Sequence, residues 1–269
     1  MPIWFNGKCS TDLGILVEHR PVRQIAQRRL DRIPVPGASR DIIQYQEDAW
    51  ENVPQPYDIA IVPALRRSRD LPLYARQVME WLHAPTDYVK LSDSYDPNMF
   101  RMAAYTATGE KIENMLAKFG RATITFDCDG RWFFDSGEEW WSTAVIGSAE
   151  AQNLEIRNPT PYTARPLIRV VGSGNIGFRL YNTTAKLDVT VMCAMGTSSK
   201  TVTLDMDKAG DATYANGTNA NGIVTITSTN SSTFAKLPVI PAAGVTVLQL
   251  LRSAEETVTV SIKPRWYTV

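Results

Sequence analysis

Few residues in this chain are of the types that do chemistry, and their spacing does not suit it. The most prominent acids are Asp127 and Asp129, two apart on one strand face, followed by Glu138 and Glu139. Glycoside cleavage needs two carboxylates on either side of a scissile bond. A strand end and its turn supply no such facing pair, so these acids read as solvated groups or, less simply, as a structural cation site. The two histidines are His19, ending an apolar strand, and His83, ending a helical stretch where a positive charge suits the helix C-terminus. No HExxH or Cys/His cluster accompanies them, so no metal centre is expected. Cys9, Cys128 and Cys193 are sparse and far apart. They fit neither a disulfide scaffold nor a zinc site, and they suit folding in a reducing cytosol. Asp127 and Asp129 flank Cys128 and raise its pKa, the opposite of what a nucleophile needs. Cys193, among Val, Met and Ala, reads as packing. No GxSxG elbow occurs. GSGNIG at 172–177 has neither a phosphate-loop lysine nor a following helix, which leaves a tight hairpin turn. No catalytic residue, cofactor or metal is expected.

Charge and aromatic clusters carry more information. Arg28, Arg29 and Arg32 precede a Pro-Gly loop that runs on to Arg40, and Arg66, Arg67 and Arg69 precede a helix. Phosphate contact is one use of such groups. Asp31, Asp41 and Asp70 stand beside them, however, and no tryptophan is interleaved, so a charged rim that pairs between subunits is the plainer reading and a channel lining the second. Basic and acidic residues are equal at 28 each, which excludes a globally basic nucleic-acid binder. RWFFDSGEEWW holds Trp132, Phe133, Phe134, Trp140 and Trp141. So much aromatic surface is expected to cap a core, dock a second domain or join an interface, with a sugar platform as a further use.

The elements that position these groups divide into two parts. The 269 residues, 44% of them apolar, suffice for one large or two ordinary domains. No apolar run is long enough to span a membrane, so no membrane insertion is expected. The start, MPIWFNGKCSTDLG, lacks the form of a signal peptide. Residues 1–150 hold 17 of the basic and 21 of the acidic residues and six of the seven tryptophans, while 18 of 25 threonines follow residue 150. The boundary is placed in 145–156, giving domains 1–150 and 151–269. In the first, IWFNG, GILVEH, YDIAIVPAL and RATITFDCDG read as strands and RIPVPGASRDI as a loop or hairpin tip. RDLPLYARQVMEWLHAP reads as a helix with Leu71, Ala75, Val78, Met79 and Leu82 as its buried stripe and Asp70 as its cap. KIENMLAKFG has helical spacing but is short. After residue 156, LIRVVGSG, GFRLYN, LDVTVMCAMG, TVTLDMD, GIVTITSTN, VTVLQLL and ETVTVSIKPRW read as short strands between turns, which predicts an antiparallel sandwich or jelly roll. Its Thr/Asn-rich strands fit a carbohydrate-binding sandwich and a solvated face equally.

Taken in order, these landmarks resemble the distal tail protein (Dit) family of long-tailed bacteriophages. IWFNGKCSTDLGILV at 3–17 resembles the family's opening strands, RRLDRIPVPGASRD at 28–41 its hairpin, and ARQVMEWLHAP at 75–85 its helix, followed by Lys90, Leu91 and SDSYDPNMF. GRATITFDCDGRWF at 120–133 resembles the strand closing the first domain. RNPTPYTARPLIRVVGSG, TVTLDMD, KLPVIPAAGVT and SIKPRWYTV resemble landmarks of the second. The family usually has a PGRDG-like turn, where this chain has Pro36, Gly37, Ala38, Ser39, Arg40 and Asp41.

The resemblance implies a mainly β protein of two domains. The N-terminal one is β-barrel-like, with one helix and an extended hairpin; the C-terminal one is a galectin-like or carbohydrate-module-like sandwich. It implies a structural, non-enzymatic baseplate hub at the virion tail tip, made in the host cytoplasm. A homo-hexameric ring would join the tail-tube protein to a tail-associated tip protein. The tape-measure protein and then DNA would pass through the channel without sequence recognition, and receptor-binding proteins are further partners. The competing expectation is a carbohydrate-binding adhesion module, which needs exposed aromatics among Tyr162, Phe178, Tyr181, Tyr214, Phe234, Trp266 and Tyr267.

Overall fold

Period-two burial fixes which way each strand faces. In Arg121–Cys128 the residues Ala122, Ile124, Phe126 and Cys128 are buried, and those between them are exposed or half-buried. The computed structural model describes residues 1–37, 39–62, 71–106, 110–145, 153–228, 237–252 and 257–269. These form two compact units, Met1–Phe133 with Val269, and Phe134–Thr268.

The first unit contains β1 (Ile3–Phe5), β2 (Lys8–Cys9), β3 (Ile15–Val17), β4 (Arg28–Ile33), β5 (Ile42–Trp50), β6 (Val53–Ile61), α1 (Leu71–His83), β7 (Val89–Asp93), β8 (Met99–Ala104), α2 (Glu110–Phe119) and β9 (Arg121–Cys128). Seven strands of a nine-stranded sheet form a curled half-barrel in the order β2-β1-β7-β8-β9-β6-β3. β6 tolerates Pro54 and Pro56 because β3 pairs only with Ile59–Ile61, which leaves the proline end on an edge. In α1, Ala75, Val78, Met79 and Leu82 are buried and Leu71 is half-buried against the same core. Trp81 is buried too; its Nε1–H donates to the Phe5 carbonyl at 3.1 Å and its ring meets Phe5 edge-on. The proposed cap, Asp70, lies outside the described residues. KIENMLAKFG is the helix α2, anchored by buried Leu116.

β10 (Trp132–Phe134) lies at the division between the units. The second unit has β11 (Trp141–Val145), β12 (Leu154–Ile156), β13 (Leu167–Asn182), β14 (Leu187–Asp205), β15 (Asp211–Tyr214), β16 (Val224–Ser228), β17 (Thr246–Arg252), β18 (Val258–Lys263) and β19 (Tyr267–Thr268). β11 lies upstream of 145–156 and pairs with β18 inside this unit. The expected hairpin turn at GSGNIG is not there. LIRVVGSGNIGFRLYN is one strand, and LDVTVMCAMG continues into TVTLDMD as another. Register shifts at Gly172, Gly174 and Asn175 absorb what looked like a reversal. Gly174 and Gly196, paired across the two strands, have φ of 77° each, which lets the ribbon bend without ending. β13 therefore pairs with β18 through its first half and with β17 through its second. Side chains from both halves, Ile168 and Val170 with Phe178 and Leu180, share one core.

Candidate assembly surface

The β4–β5 hairpin belongs to neither large sheet. Every residue of β4 is exposed, and the ribbon is anchored at its base, where Trp50 of β5 packs on the first-unit core. Ile33 pairs with Ile42 and Arg32 with Ile43, and because neighbours along a strand alternate, the ribbon carries apolar groups on both faces. Ile42 is 56% and Ile43 50% exposed, and Leu30, Ile33 and Val35 are exposed as well. An isolated two-stranded ribbon is marginal in water. One with apolar groups on both faces leaves them in water in the single chain.

The strap leading into it, residues 18–27, is held to the half-barrel through its backbone carbonyls and the buried Ala26. Its polar contacts point toward the half-barrel. Gln55 Nε2 donates to the Val22 carbonyl at 3.1 Å, Arg101 Nη2 to the Gln24 carbonyl at 2.7 Å, and the Glu51 N–H to the Gln27 carbonyl at 2.9 Å. The Trp132 ring lies under two guanidinium groups, Arg23 at 4.5 Å and Arg101 at 4.2 Å. Arg20 and Arg23 share Asp96. Arg101 is buried, and desolvation lowers its pKa. Ala26 presses so closely that a Cβ on Gly130 would lie 2.5 Å from the Ala26 Cβ. Outward, Val22 is 73% and Ile25 75% exposed. A pinned strap with exposed Val22 and Ile25 thus leads into a hairpin that exposes Leu30, Ile33, Ile42 and Ile43.

Arg28, Arg29, Arg32 and Arg40 are exposed on the hairpin and its tip, and Arg28 lies over the Trp50 ring at 5.2 Å. Arg66, Arg67 and Arg69 fall outside the described residues. Sequence reasoning chose the arginines and missed the apolar residues among them. The adjacent pair Ile42–Ile43 was the available signal, since in a strand one of two neighbours must face away from any single buried side.

The remaining candidates are engaged in local structure. Asp127 accepts from Tyr88 Oη and from Asn52 Nδ2, and Asp129 forms a double hydrogen bond with Arg131. Partial burial and the bond to Asp127 push Tyr88 up to about 12. Glu138, in the second unit, pairs with Lys263 at 3.1 Å and Arg265 at 3.7 Å, and Glu139 is exposed. Cys128 is pushed up to about 12, first by burial, with Asp127 and Asp129 adding to it and Arg101 opposing. His83 meets the Tyr105 ring edge-on and His19 is exposed. Among the described residues no group of three or more His, Cys, Asp or Glu is placed to hold a metal ion, and no helix is long and apolar enough to cross a membrane. The aromatic run divides: Trp132 and Phe133 are buried in the first unit, while Phe134 and Trp141 pack on the core of the second and Trp140 lies under Arg169.

No protein-family profile matches the chain, and no curated protein matches it in sequence. Among solved structures it is similar to the Dit protein (gp 19.1) of phage SPP1, described with its crystal structure as a paradigm of the hub adsorption apparatus in phages that infect Gram-positive hosts. The TM-score is 0.61 at 15% identity, over 97% of this chain and 98% of that one. More distant are two structures of the phage P2 baseplate in its activated conformation. The one with Ca has a TM-score of 0.46 over 94% of this chain and 93% of the other; the one with Sr has 0.48 over 97% and 96%; both are 10% identical. The first likeness establishes a shared fold that runs through both units.

Proposed function

We propose that this chain is a structural hub protein of a phage tail tip. Its first unit associates with copies of itself into a hexameric ring between the tail-tube protein and a tail-associated tip protein. The tape-measure protein and then DNA pass through the centre, without sequence recognition. The second unit faces outward as a mount for receptor-binding proteins. The protein is made in the host cytoplasm and ends in the virion tail tip, and it works by shape rather than catalysis. The observation that carries this reading is the whole-chain likeness of fold to the SPP1 hub protein. Fold alone does not assign a function. The strap and hairpin add the physical ground: an exposed apolar ribbon on a pinned base is what a head-to-tail ring contact requires of each subunit.

The carbohydrate-binding reading has less support. It needs an exposed aromatic platform on the second unit. Phe178, Trp266 and Tyr267 are buried, and Tyr162, Tyr181 and Tyr214 are half-buried. Tyr162 stacks on Tyr267. A hollow of about 450 Å³ beside Tyr181 is occupied at that ring by Arg179, which also pairs with Asp188 at 2.7 Å. Phe234 lies outside the described residues.

Native mass spectrometry of the purified 30.0 kDa chain tests the proposal. A closed hexamer is expected, alone or with tube protein, and immunogold labelling of virions is expected to mark the tail tip. A protein that stays monomeric at high concentration with tube protein present, and labels no tail, overturns it.

A further inference from the structure

A different exposed surface lies on α2. Its inward side is Ile112, Leu116 and Ala117, packed on the first-unit core. Its opposite side is Lys111, Asn114, Met115, Lys118 and Phe119, one helical stripe lining a shallow, open hollow of about 410 Å³. Met115 and Phe119, one turn apart, are 37% and 69% exposed. Fraying does not account for Phe119. The next residue, Gly120, is buried at φ 65°, its N–H donates to the Leu116 carbonyl at 2.9 Å, and its carbonyl accepts from the Ile61 N–H at 2.9 Å. The helix end is thus tied to β6, and the ring is held outward.

Two cations bracket this apolar pair. The helix C-terminus accounts for Lys118, but Lys111 stands in the first turn, where the helix dipole disfavours a positive charge. Among the described residues no carboxylate pairs with either lysine. We propose that this face is a docking site for an acidic, apolar-tipped segment of a different protein chain. The tip fills the hollow against Met115 and Phe119, and carboxylates at its base pair with Lys111 and Lys118. Charge complementarity selects this occupant. The hairpin tip of a second copy is apolar too, but its Arg32 and Arg40 are balanced by Asp31 and Asp41, so it brings no surplus carboxylate. Such pairs at an interface rim set partner choice and association rate more than affinity.

The test uses the full chain and two fluorescein-labelled helical peptides, identical in their leucines and differing only in Glu or Lys elsewhere. Fluorescence anisotropy is expected to show the acidic peptide binding at least tenfold more tightly at low salt, with the difference shrinking as salt is added. Phe119→Ser is expected to weaken the acidic peptide at least tenfold. Lys111→Glu with Lys118→Glu is expected to reverse the preference, and Lys111→Arg with Lys118→Arg to keep it. Thermal midpoints report folding, and the charge reversal remains informative if Phe119→Ser does not fold. Equal binding of the two peptides, or indifference to the lysine substitutions, overturns the proposal. So does a change in the number of associated copies on Phe119→Ser, which assigns the face to self-association. The result is independent of the ring, since a monomeric parent protein still gives a peptide preference or fails to.

Discussion

Cys128 illustrates how a residue's surroundings outweigh its immediate neighbours. Asp127 and Asp129 do raise its pKa, as the sequence suggests, but burial is the larger cause, and the buried Arg101 acts against both. That burial follows from position: Cys128 continues the inward series Ala122, Ile124 and Phe126, whose period was legible, while the approach of Arg101 from β8 was not. Cys193 behaves alike, pushed up to about 11 by burial alone. A buried thiol whose folded pKa exceeds its unfolded value holds its proton in the native state after the unfolded chain has released it. The stabilisation is complete below the unfolded value of about 9 and is lost as pH rises through 11 to 12. Tyr57, raised first by burial and then by Asp93, adds in the same direction. Urea midpoints are therefore expected to stay level from pH 7 to 8 and to fall above 9. Cys128→Ala with Cys193→Ala is expected to fall less steeply, by about 1.4 kcal/mol per pH unit for each thiol between the two pKa values. Parallel profiles for parent and variant would show that the thiols do not contribute.

At the scale of elements, local period was readable and long-range continuity was not. The stripe of α1 could be read from spacing because its partners are simply the core. Trp81 escaped because it packs against the ring of Phe5 and donates to its carbonyl, a partner far away in sequence. Gly-rich stretches mislead in the same way. A glycine at positive φ serves a hairpin turn or a bent strand equally, and only the partner strand decides between them. Gly177 shows why β13 needs glycine even inside a regular stretch. A Cβ there would lie 1.9 Å from the Val191 carbonyl oxygen of β14. Gly177→Ala must push the two strands apart at the centre of the second core, and is expected to cost about 3 kcal/mol or more. Gly222→Ala meets nothing within 4 Å and is expected to change stability by less than about 1 kcal/mol. Chemical denaturation of both variants checks this. Equal midpoints would mean that the close approach at Gly177 is not part of the native ribbon.

For the whole molecule, the resemblance in the sequence lay in the order of weak landmarks, and the fold likeness runs through the same full length. The surface by which copies would meet was only half legible. Charge is conspicuous in a sequence, so the arginines drew attention; exposed apolar residues look like core until a structure shows that nothing covers them. The two readings separate by experiment. If apolar cover drives assembly, Ile42→Asp with Ile43→Asp abolishes it, because each face of the ribbon then carries a charge that must be desolvated on contact. The substituted side chains are exposed in the single chain, so the thermal midpoint of that chain is expected to change little. If arginine pairing drives assembly, Arg28→Glu with Arg32→Glu is the more damaging change and its effect depends strongly on salt. We expect the isoleucine variant to run as a folded monomer in native mass spectrometry across the salt range. The arginine variant is expected to assemble with weakened affinity that salt partly restores, since exposed pairs contribute about 0–1 kcal/mol each. An isoleucine variant that assembles as well as the parent would move the contact off the hairpin, whatever the arginines do.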